Sequence, residues 1–153
     1  MRFMISIVLT SSLLGGCGIA PNGQSGEDQR RDLAAEIPME EWITDTDGIN
    51  YANGDRTDWK WFNVARDGTV TVEVSFDNRD AAIVVTLFNR YGQKLGEKVK
   101  NSGFSDPVQF QGEIPQGKYF VQVQARDTED NSVYSIRASQ QGGSRAGAIP
   151  PPE

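Results

Sequence analysis

The sequence predicts an all-β protein built around a single antiparallel, jelly-roll-like β-sandwich of about seven or eight strands. Two observations support this fold class. Between Thr44 and Ser139, apolar residues alternate with polar residues in short runs, and turn-forming residues separate the runs. An alternation of period two places one face of each strand in a core and the other toward solvent.

The alternating runs are, in order, DWKWFNV, TVTVEVSF, IVVTLFN, the segment from Leu95 to Val99, VQFQGEI, KYFVQVQA and VYSIRAS. Asp, Asn, Gly and Pro lie between them and favour tight turns. The side chains that we expect to face the core are Val70, Val72, Val74, Phe76, Ile83, Val85, Leu87, Val108, Phe110, Tyr119, Val121, Val123, Ala125, Tyr134, Ile136 and Ala138.

The composition of the 153 residues narrows the possible functions. The net charge of −6 disfavours non-specific binding to nucleic acid, so we expect no nucleic-acid partner. The chain has no histidine, which removes the usual general base and the commonest metal ligand. Its single cysteine excludes an intramolecular disulfide. No motif for nucleophilic catalysis, phosphate binding or dinucleotide binding is found, so we expect no enzyme and no resident cofactor other than a calcium ion.

An apolar run from Phe3 to Leu14 follows Arg2 and ends at Gly15, Gly16 and Cys17. A helix needs ~20 apolar residues to span a bilayer, so this run is too short to do so and instead has the length of a secretory signal. The segment Leu14-Gly15-Gly16-Cys17 resembles the lipobox of bacterial lipoproteins. The alternative is a cysteine buried in an ordinary N-terminal strand.

The lipobox resemblance implies that residues 1–16 are removed as a signal peptide and that Cys17 carries a diacylglyceryl group and an acylated amino terminus. Gly18, where inner-membrane lipoproteins often have Asp, implies the outer membrane, facing the periplasm or the cell surface. We expect residues 17–37 to be a lipidated linker with a short helix from Asp28 to Ile37, residues 38–141 to be the sandwich domain, and residues 142–153 to be a disordered tail.

Four segments, from DWKWFNVARDGTVTVEVSF to YSIRAS, resemble the bacterial pre-peptidase C-terminal domain, a β-sandwich related to the collagen-binding modules of secreted proteases. The resemblance covers about Asp55 to Ser139, and its most specific part runs from Ile114-Pro115 through Gly117 to Val123. It implies a domain that binds or assists secretion and does not catalyse. Val84 stands where the family often has an acidic residue, and Lys60 where it often has an aromatic one.

Trp59 and Trp61 are two residues apart and therefore share one face of their strand. Phe62 and Val64 take the opposite face, which the family pattern makes the core. The tryptophans would then form an exposed binding face for a sugar ring or a protein. The alternative is that the segment containing Met39, Trp42 and Ile43 folds over them.

An oxygen-rich stretch precedes this strand and contains Asp45, Asp47, Asn50, Asp55 and Asp58. Such side chains can hold Ca²⁺, although the spacing is not that of an EF-hand. The family resemblance implies the same ion, because some relatives bind Ca²⁺ just before their first core strand. The alternative is that these residues only form turns.

Together these features predict a lipid-anchored binding or scaffold protein of the cell envelope, an accessory lipoprotein of a machine for secretion, pilus assembly, adhesion or gliding. Its partners would be the membrane, through the lipid anchor, and an envelope protein or polysaccharide. One alternative is a carbohydrate-binding or carbohydrate-active lipoprotein, and another is a purely structural envelope protein.

Replacing Cys17 with serine tests the lipid anchor. We expect protein from wild-type cells to lack residues 1–16 and to carry acyl mass, whereas Cys17→Ser keeps the signal and carries none, because serine lacks the thiol that is modified. Intact-mass spectrometry of the purified proteins measures both, with Ser12→Ala as a matched control. A wild-type protein without acyl mass contradicts the prediction.

Overall fold

The computed structural model describes residues 23–141. A short 3₁₀ helix, Arg31–Leu33, precedes nine β-strands. The strands are β1 (Ala35–Glu36), β2 (Ile43–Asn50), β3 (Thr57–Val64), β4 (Gly68–Phe76), β5 (Ile83–Asn89), β6 (Lys94–Lys100), β7 (Val108–Ile114), β8 (Gly117–Ala125) and β9 (Asn131–Gln140).

The strands form two sheets that pack as a β-sandwich. The first has the order β1-β3-β8-β5-β6, and the second has the order β2-β9-β4-β7. All neighbouring strands are antiparallel except β1 and β3, which are parallel. The all-β sandwich predicted from the alternation is therefore confirmed.

The core lies between the sheets and contains the residues that the alternation places inside. Every side chain in the list of expected core residues is buried, and Phe62 and Val64 on β3 are buried with them. The Phe62 and Tyr119 rings stack with centroids 5.7 Å apart. Because the inner faces of both sheets are apolar along most of their length, their burial is the main force that holds the sandwich together.

β2 contains a bulge that accommodates part of the acidic stretch. Its pairing with β9 shifts register between Asp45 and Ile49. Gly48 lies in the bulge with a φ of 61°, and a Cβ there would overlap the carbonyl oxygen of Ser132. The Gly48 N–H donates to Asp45 Oδ1 at 2.9 Å. Only glycine fits this close approach of two strands, so Gly48 permits the bulge.

The expected helix from Asp28 to Ile37 is wrong. Only Arg31–Leu33 is helical, and the chain then continues as β1 beside β3. The exposed edge of β3 explains the difference, because its backbone groups need partners. The Trp59 N–H donates to Asp28 O at 2.8 Å, and the Ile37 N–H donates to Trp61 O at 2.7 Å. Tertiary pairing has overridden the local preference for a helix.

The segment expected to be a linker is packed against the sandwich from residue 24 onward. Ile37 is 1% exposed and belongs to the core, and Ser25 is also buried. The packed body thus begins before the boundary expected at residue 38. The signal segment 1–16, Cys17 and the tail 142–153 lie outside the described residues. Within residues 23–141, no helix is long and apolar enough to cross a membrane.

The facing of β4 is tested by placing a charge on each side of the strand. Val72 is 1% exposed, so Val72→Asp buries an unpaired carboxylate, and we expect a loss of about 3 kcal/mol or more in the free energy of unfolding. Ser75 is half-buried on the outer face, and Ser75→Asp should cost about 1 kcal/mol or less. Urea unfolding measures both, and equal losses would mean that the facing is wrong.

Candidate functional site

Two groups of side chains lie on opposite faces of β3. Asp58 and Lys60 point inward, on the same side as Phe62, and are buried at one end of the sandwich. Trp59 and Trp61 point outward and are half-buried. The first group is polar and lies between the sheets, and the second is aromatic and lies on the surface.

The inner group is built around the ammonium of Lys60. Its Nζ donates to the carboxylates of Asp28 and Asp45. Asp28 lies in the segment before the 3₁₀ helix, and Asp45 lies on β2 in the other sheet. Lys60 is 6% exposed, so both ion pairs are largely shielded from water.

Tyr134 on β9 connects this cluster to the second sheet. Its hydroxyl donates to Asp58 Oδ2 at 2.9 Å and lies 3.3 Å from Asp45 Oδ2. Its ring is buried, and the Lys60 ammonium lies 5.8 Å from the ring centroid. We call Asp28, Asp45, Asp58, Lys60 and Tyr134 the inner cluster. It links the N-terminal segment to both sheets.

Burial and the nearby charges shift the pKa values of Asp58 and Asp45 in opposite directions. Burial, with the nearby charge of Asp28, raises the pKa of Asp58 to about 8. Burial also acts to raise the pKa of Asp45, but hydrogen bonding to Lys60 and the Lys60 charge outweigh it, and the pKa is lowered. For Lys60, burial acts to lower the pKa, but the hydrogen bonds to Asp28 and Asp45 raise it. The result is a neutral Asp58 beside an ionised Lys60–Asp45 pair at neutral pH.

The remaining residues of the oxygen-rich stretch lie apart from the Lys60 ammonium. Asn50 Oδ1 accepts a hydrogen bond from the Asn53 N–H, which stabilises a turn. Asp55 pairs with Asn50 through the backbone, and its buried Oδ1 has no hydrogen-bond partner. Burial raises the pKa of Asp55 to about 6. Asp47 and Asp55 line a cavity of about 490 Å³ together with Asp28 and Asp58.

The inner cluster does not fit a calcium ion as it stands. Carboxylate oxygens of Asp28, Asp45 and Asp58 lie within 4.8 Å of one another, which is the donor type that Ca²⁺ prefers. The Lys60 ammonium, however, is already bonded to two of these three carboxylates. A divalent ion would be repelled by this charge, so the cluster has an internal cation at the position a metal would take.

The outer face of the first sheet carries four aromatic rings, of which Phe120 is buried and Trp59, Trp61 and Phe88 are half-buried. The Trp59 and Phe88 rings are 5.2 Å apart, and register places Trp61 and Phe88 on either side of Phe120. The Lys118 ammonium lies 3.8 Å from the centroid of the Trp61 ring. We call Trp59, Trp61, Phe88 and Phe120 the outer aromatic face.

The segment from Met39 to Ile43 does not cover this face. Met39 pairs with Ala138, and Ile43 lies opposite Ile136, both in the second sheet. Trp42 is 46% exposed, with the Arg137 guanidinium 4.9 Å from its ring. The alternative is therefore wrong for Met39, Trp42 and Ile43, although an earlier part of the N-terminal segment does reach this face. The residue that lies over part of the face is Arg31 of the 3₁₀ helix, whose guanidinium is 5.4 Å from the centroid of the Phe120 ring.

Three residues of the two groups that were not predicted as site residues, Lys60, Phe88 and Phe120, do follow a sequence pattern. Period-two alternation places Lys60 on the side of Phe62, and it places Phe88 and Phe120 opposite the inward residues of β5 and β8. Asp28 gave no such signal, because it reaches Lys60 through a tertiary contact across 32 positions.

No protein-family model and no curated protein matches the chain. Among solved structures, the sandwich is similar to the pre-peptidase C-terminal domain of a collagenase from Bacillus anthracis. The identity is 18%, the TM-score is 0.56, and the match covers 69% of this chain and 93% of that chain. This likeness confirms the sequence resemblance at the level of the fold.

Two carbohydrate-binding modules also match. One is a family 35 module from an environmental isolate, with 14% identity, a TM-score of 0.42, and coverage of 71% of this chain and 85% of that chain. The other is a module of Cellvibrio mixtus lichenase 5A solved with cellotriose, with 16% identity, a TM-score of 0.41, and coverage of 66% and 86%. These scores are too low to support an inference about ligands.

The raised pKa values of Asp55 and Asp58 predict that stability falls as the pH rises from 5 to 9. Asp55 and Asp58 bind protons more tightly when folded, since their folded pKa values of about 6 and 8 exceed the reference value of 3.8. Protonation therefore favours the folded state. This contribution falls as the pH rises above the reference value of 3.8, and its loss is complete once the pH has passed about 6 for Asp55 and about 8 for Asp58.

Urea unfolding at pH 5, 7 and 9 measures this dependence. Asp58→Asn should reduce the decrease over the whole range, most visibly above pH 7, where the contribution of Asp55 has already been lost, because the amide does not ionise. Asp106→Asn, at an exposed position, should leave the decrease unchanged. A wild-type protein that is more stable at pH 9 than at pH 5 would contradict the assignment.

Proposed function

We propose that this chain is a non-catalytic binding module of the bacterial cell envelope, anchored by lipid on Cys17, which contacts an envelope protein or polysaccharide through the outer aromatic face. The single observation that carries the proposal is the cluster of four rings on the outside of one sheet, away from the apolar core. Aromatic side chains at a surface provide stacking area for sugar rings and frequent anchor points in protein interfaces.

The cations around this face support a binding role. Lys118 lies over Trp61, and Arg31 lies over Phe120. Each side chain combines an apolar stem with a charged end, so it can pack on a ring and still hydrogen-bond to a polar ligand. The face therefore offers both apolar contact and donors for carboxylate or hydroxyl groups of a partner.

The position of the N-terminal segment supports a role on a membrane anchor. The Gln24 N–H donates to Gly54 O at 3.2 Å, so residue 24 lies at the end of the sandwich that contains the inner cluster. The β5–β6 turn around Gly92 lies at the opposite end, because Asn89 pairs with Tyr119 near the start of β8. A linker from an anchor on Cys17 would thus join the sandwich at the end that contains the inner cluster.

A carbohydrate-active protein is the second candidate, and one observation favours it. Asp45 and Asp58 have pKa values shifted in opposite directions and line the same cavity, as acid and base partners do in glycosidases. Against it, Asp58 is 2% exposed and lies beneath the Tyr134 hydroxyl, and Asp45 is paired with Lys60. A substrate would have to displace these contacts, so binding is the function that the geometry supports better.

The double variant Trp59→Ala/Trp61→Ala tests the outer aromatic face. Both tryptophans are half-buried, so we expect recovery of envelope proteins or polysaccharide to fall at least tenfold with a loss in unfolding free energy below the ~3–5 kcal/mol typical of a fully buried tryptophan. Pull-down from solubilised envelopes and from purified wall polysaccharide measures recovery, and urea unfolding measures stability. Trp42→Ala, just before β2 and beside Arg137 of the second sheet, is the matched control.

Fluorescence provides a second readout for the same proposal. The chain has three tryptophans, so the Trp42→Ala variant reports only Trp59 and Trp61. A ligand at the outer aromatic face should shift or quench this emission in a saturable way. Unchanged recovery by the double variant, or a collapse of its stability, would refute the assignment of this face.

A further inference from the structure

The Lys60 ammonium lies where three structural units meet. It bonds to Asp28 of the N-terminal segment and to Asp45 of β2, while its own strand, β3, belongs to the other sheet. We infer that Lys60 is a built-in cation that latches residues 24–37 onto the sandwich, in a position that a divalent metal ion would otherwise have to fill.

Charge balance supports this role. The carboxyl groups of Asp28, Asp45 and Asp58 converge within 4.8 Å, and the two that pair with Lys60, Asp28 and Asp45, need a positive charge when they are removed from water. The side chain of Lys60 is 7% exposed, and those of Asp28 and Asp45 are 15% and 16% exposed. Because the ammonium is both buried and bonded to two carboxylates, it supplies that charge from within the chain.

The latch acts on a segment with few other buried contacts. Backbone hydrogen bonds attach it at Gln24, Asp28 and Ile37, and β1 adds two paired residues along β3. Among residues 24–36 the buried side chain is Ser25, whereas Arg30 to Leu33 are exposed. The Ser25 hydroxyl accepts from the Arg56 N–H, and Arg31 lies on the Phe120 ring. Besides these two contacts, the Lys60–Asp28 ion pair is thus the side-chain contact that holds the segment to the sandwich.

The latch has two consequences for the molecule. It covers the edge of β3, which would otherwise present unpaired backbone groups to other chains. It also fixes the place where the chain leaves the sandwich, beside Gly54. The point at which a preceding segment joins the sandwich would then be set by an internal ion pair and not by the supply of a metal.

Trypsin measures whether the segment is latched, because Arg30 and Arg31 provide exposed cleavage sites within it. We expect the wild-type protein to be cleaved slowly there, since a docked backbone resists proteolysis. Lys60→Met should increase the rate of cleavage at Arg30 and Arg31 at least tenfold and lower the melting temperature by about 5 °C or more. Lys94→Met, which removes an exposed lysine paired with Glu97, is the matched control and should change neither.

Adding calcium chloride distinguishes a cluster that is balanced by Lys60 from a cluster that binds a metal ion. The wild-type melting temperature should shift by less than about 1 °C between EDTA and millimolar Ca²⁺, because the ammonium already occupies the position. In Lys60→Met the three carboxylates lack a cation, so Ca²⁺ should restore resistance to trypsin. A Ca²⁺-dependent rise of several degrees in the wild-type protein, or no protection of Lys60→Met, would overturn the inference.

Asp28→Asn tests the latch if Lys60→Met does not fold. This change breaks one of the two ion pairs and leaves Lys60 paired with Asp45. We expect faster cleavage at Arg30 and Arg31 in a sandwich that still unfolds cooperatively. Cleavage as slow as in the wild-type protein would show that Lys60 does not hold the segment, and would refute the latch.

Discussion

Successive side chains of β3 point to opposite faces of its sheet, and this alternation separates the functions that the strand carries. Phe62 and Val64 reach the core, Asp58 and Lys60 reach the polar end of the same inner face, and the two tryptophans lie outside. A shift of one residue in the pairing of β3 with β8 would exchange these faces. The apolar core, the inner cluster and the outer aromatic face therefore all depend on one register.

Burying a lysine between two sheets is unfavourable unless its charge is compensated, and the structure compensates it with groups from distant parts of the chain. The carboxylates come from the N-terminal segment and from β2, and the Tyr134 hydroxyl closes the cluster through Asp58. Such a network specifies a single arrangement of its parts, because leaving any member unpaired is costly. The inner cluster therefore specifies one arrangement of the N-terminal segment and the two sheets at its end of the sandwich.

The two faces of β3 are coupled through the segment that runs beside it. The same segment contributes Asp28 to the inner cluster and Arg31 to the outer aromatic face. Loss of the contact at Asp28 would therefore also alter the surroundings of Phe120. In a binding module, this arrangement would keep the contact surface and the point of attachment in a fixed relation.

The sequence by itself determined the fold class, the order of the strands from β3 to β9 and the burial of their alternating residues, because period two is a local property of the chain. It also separated Trp59 and Trp61 from Phe62 and Val64. Only the tertiary structure decided the rest. The segment around Asp28 was expected to be helical or unstructured, and it became ordered because the edge of β3 and the Lys60 ammonium both required partners. The unpaired backbone groups of β3 and the buried ammonium exist only once distant strands have packed together, so no local sequence pattern predicts which segment will pair with them.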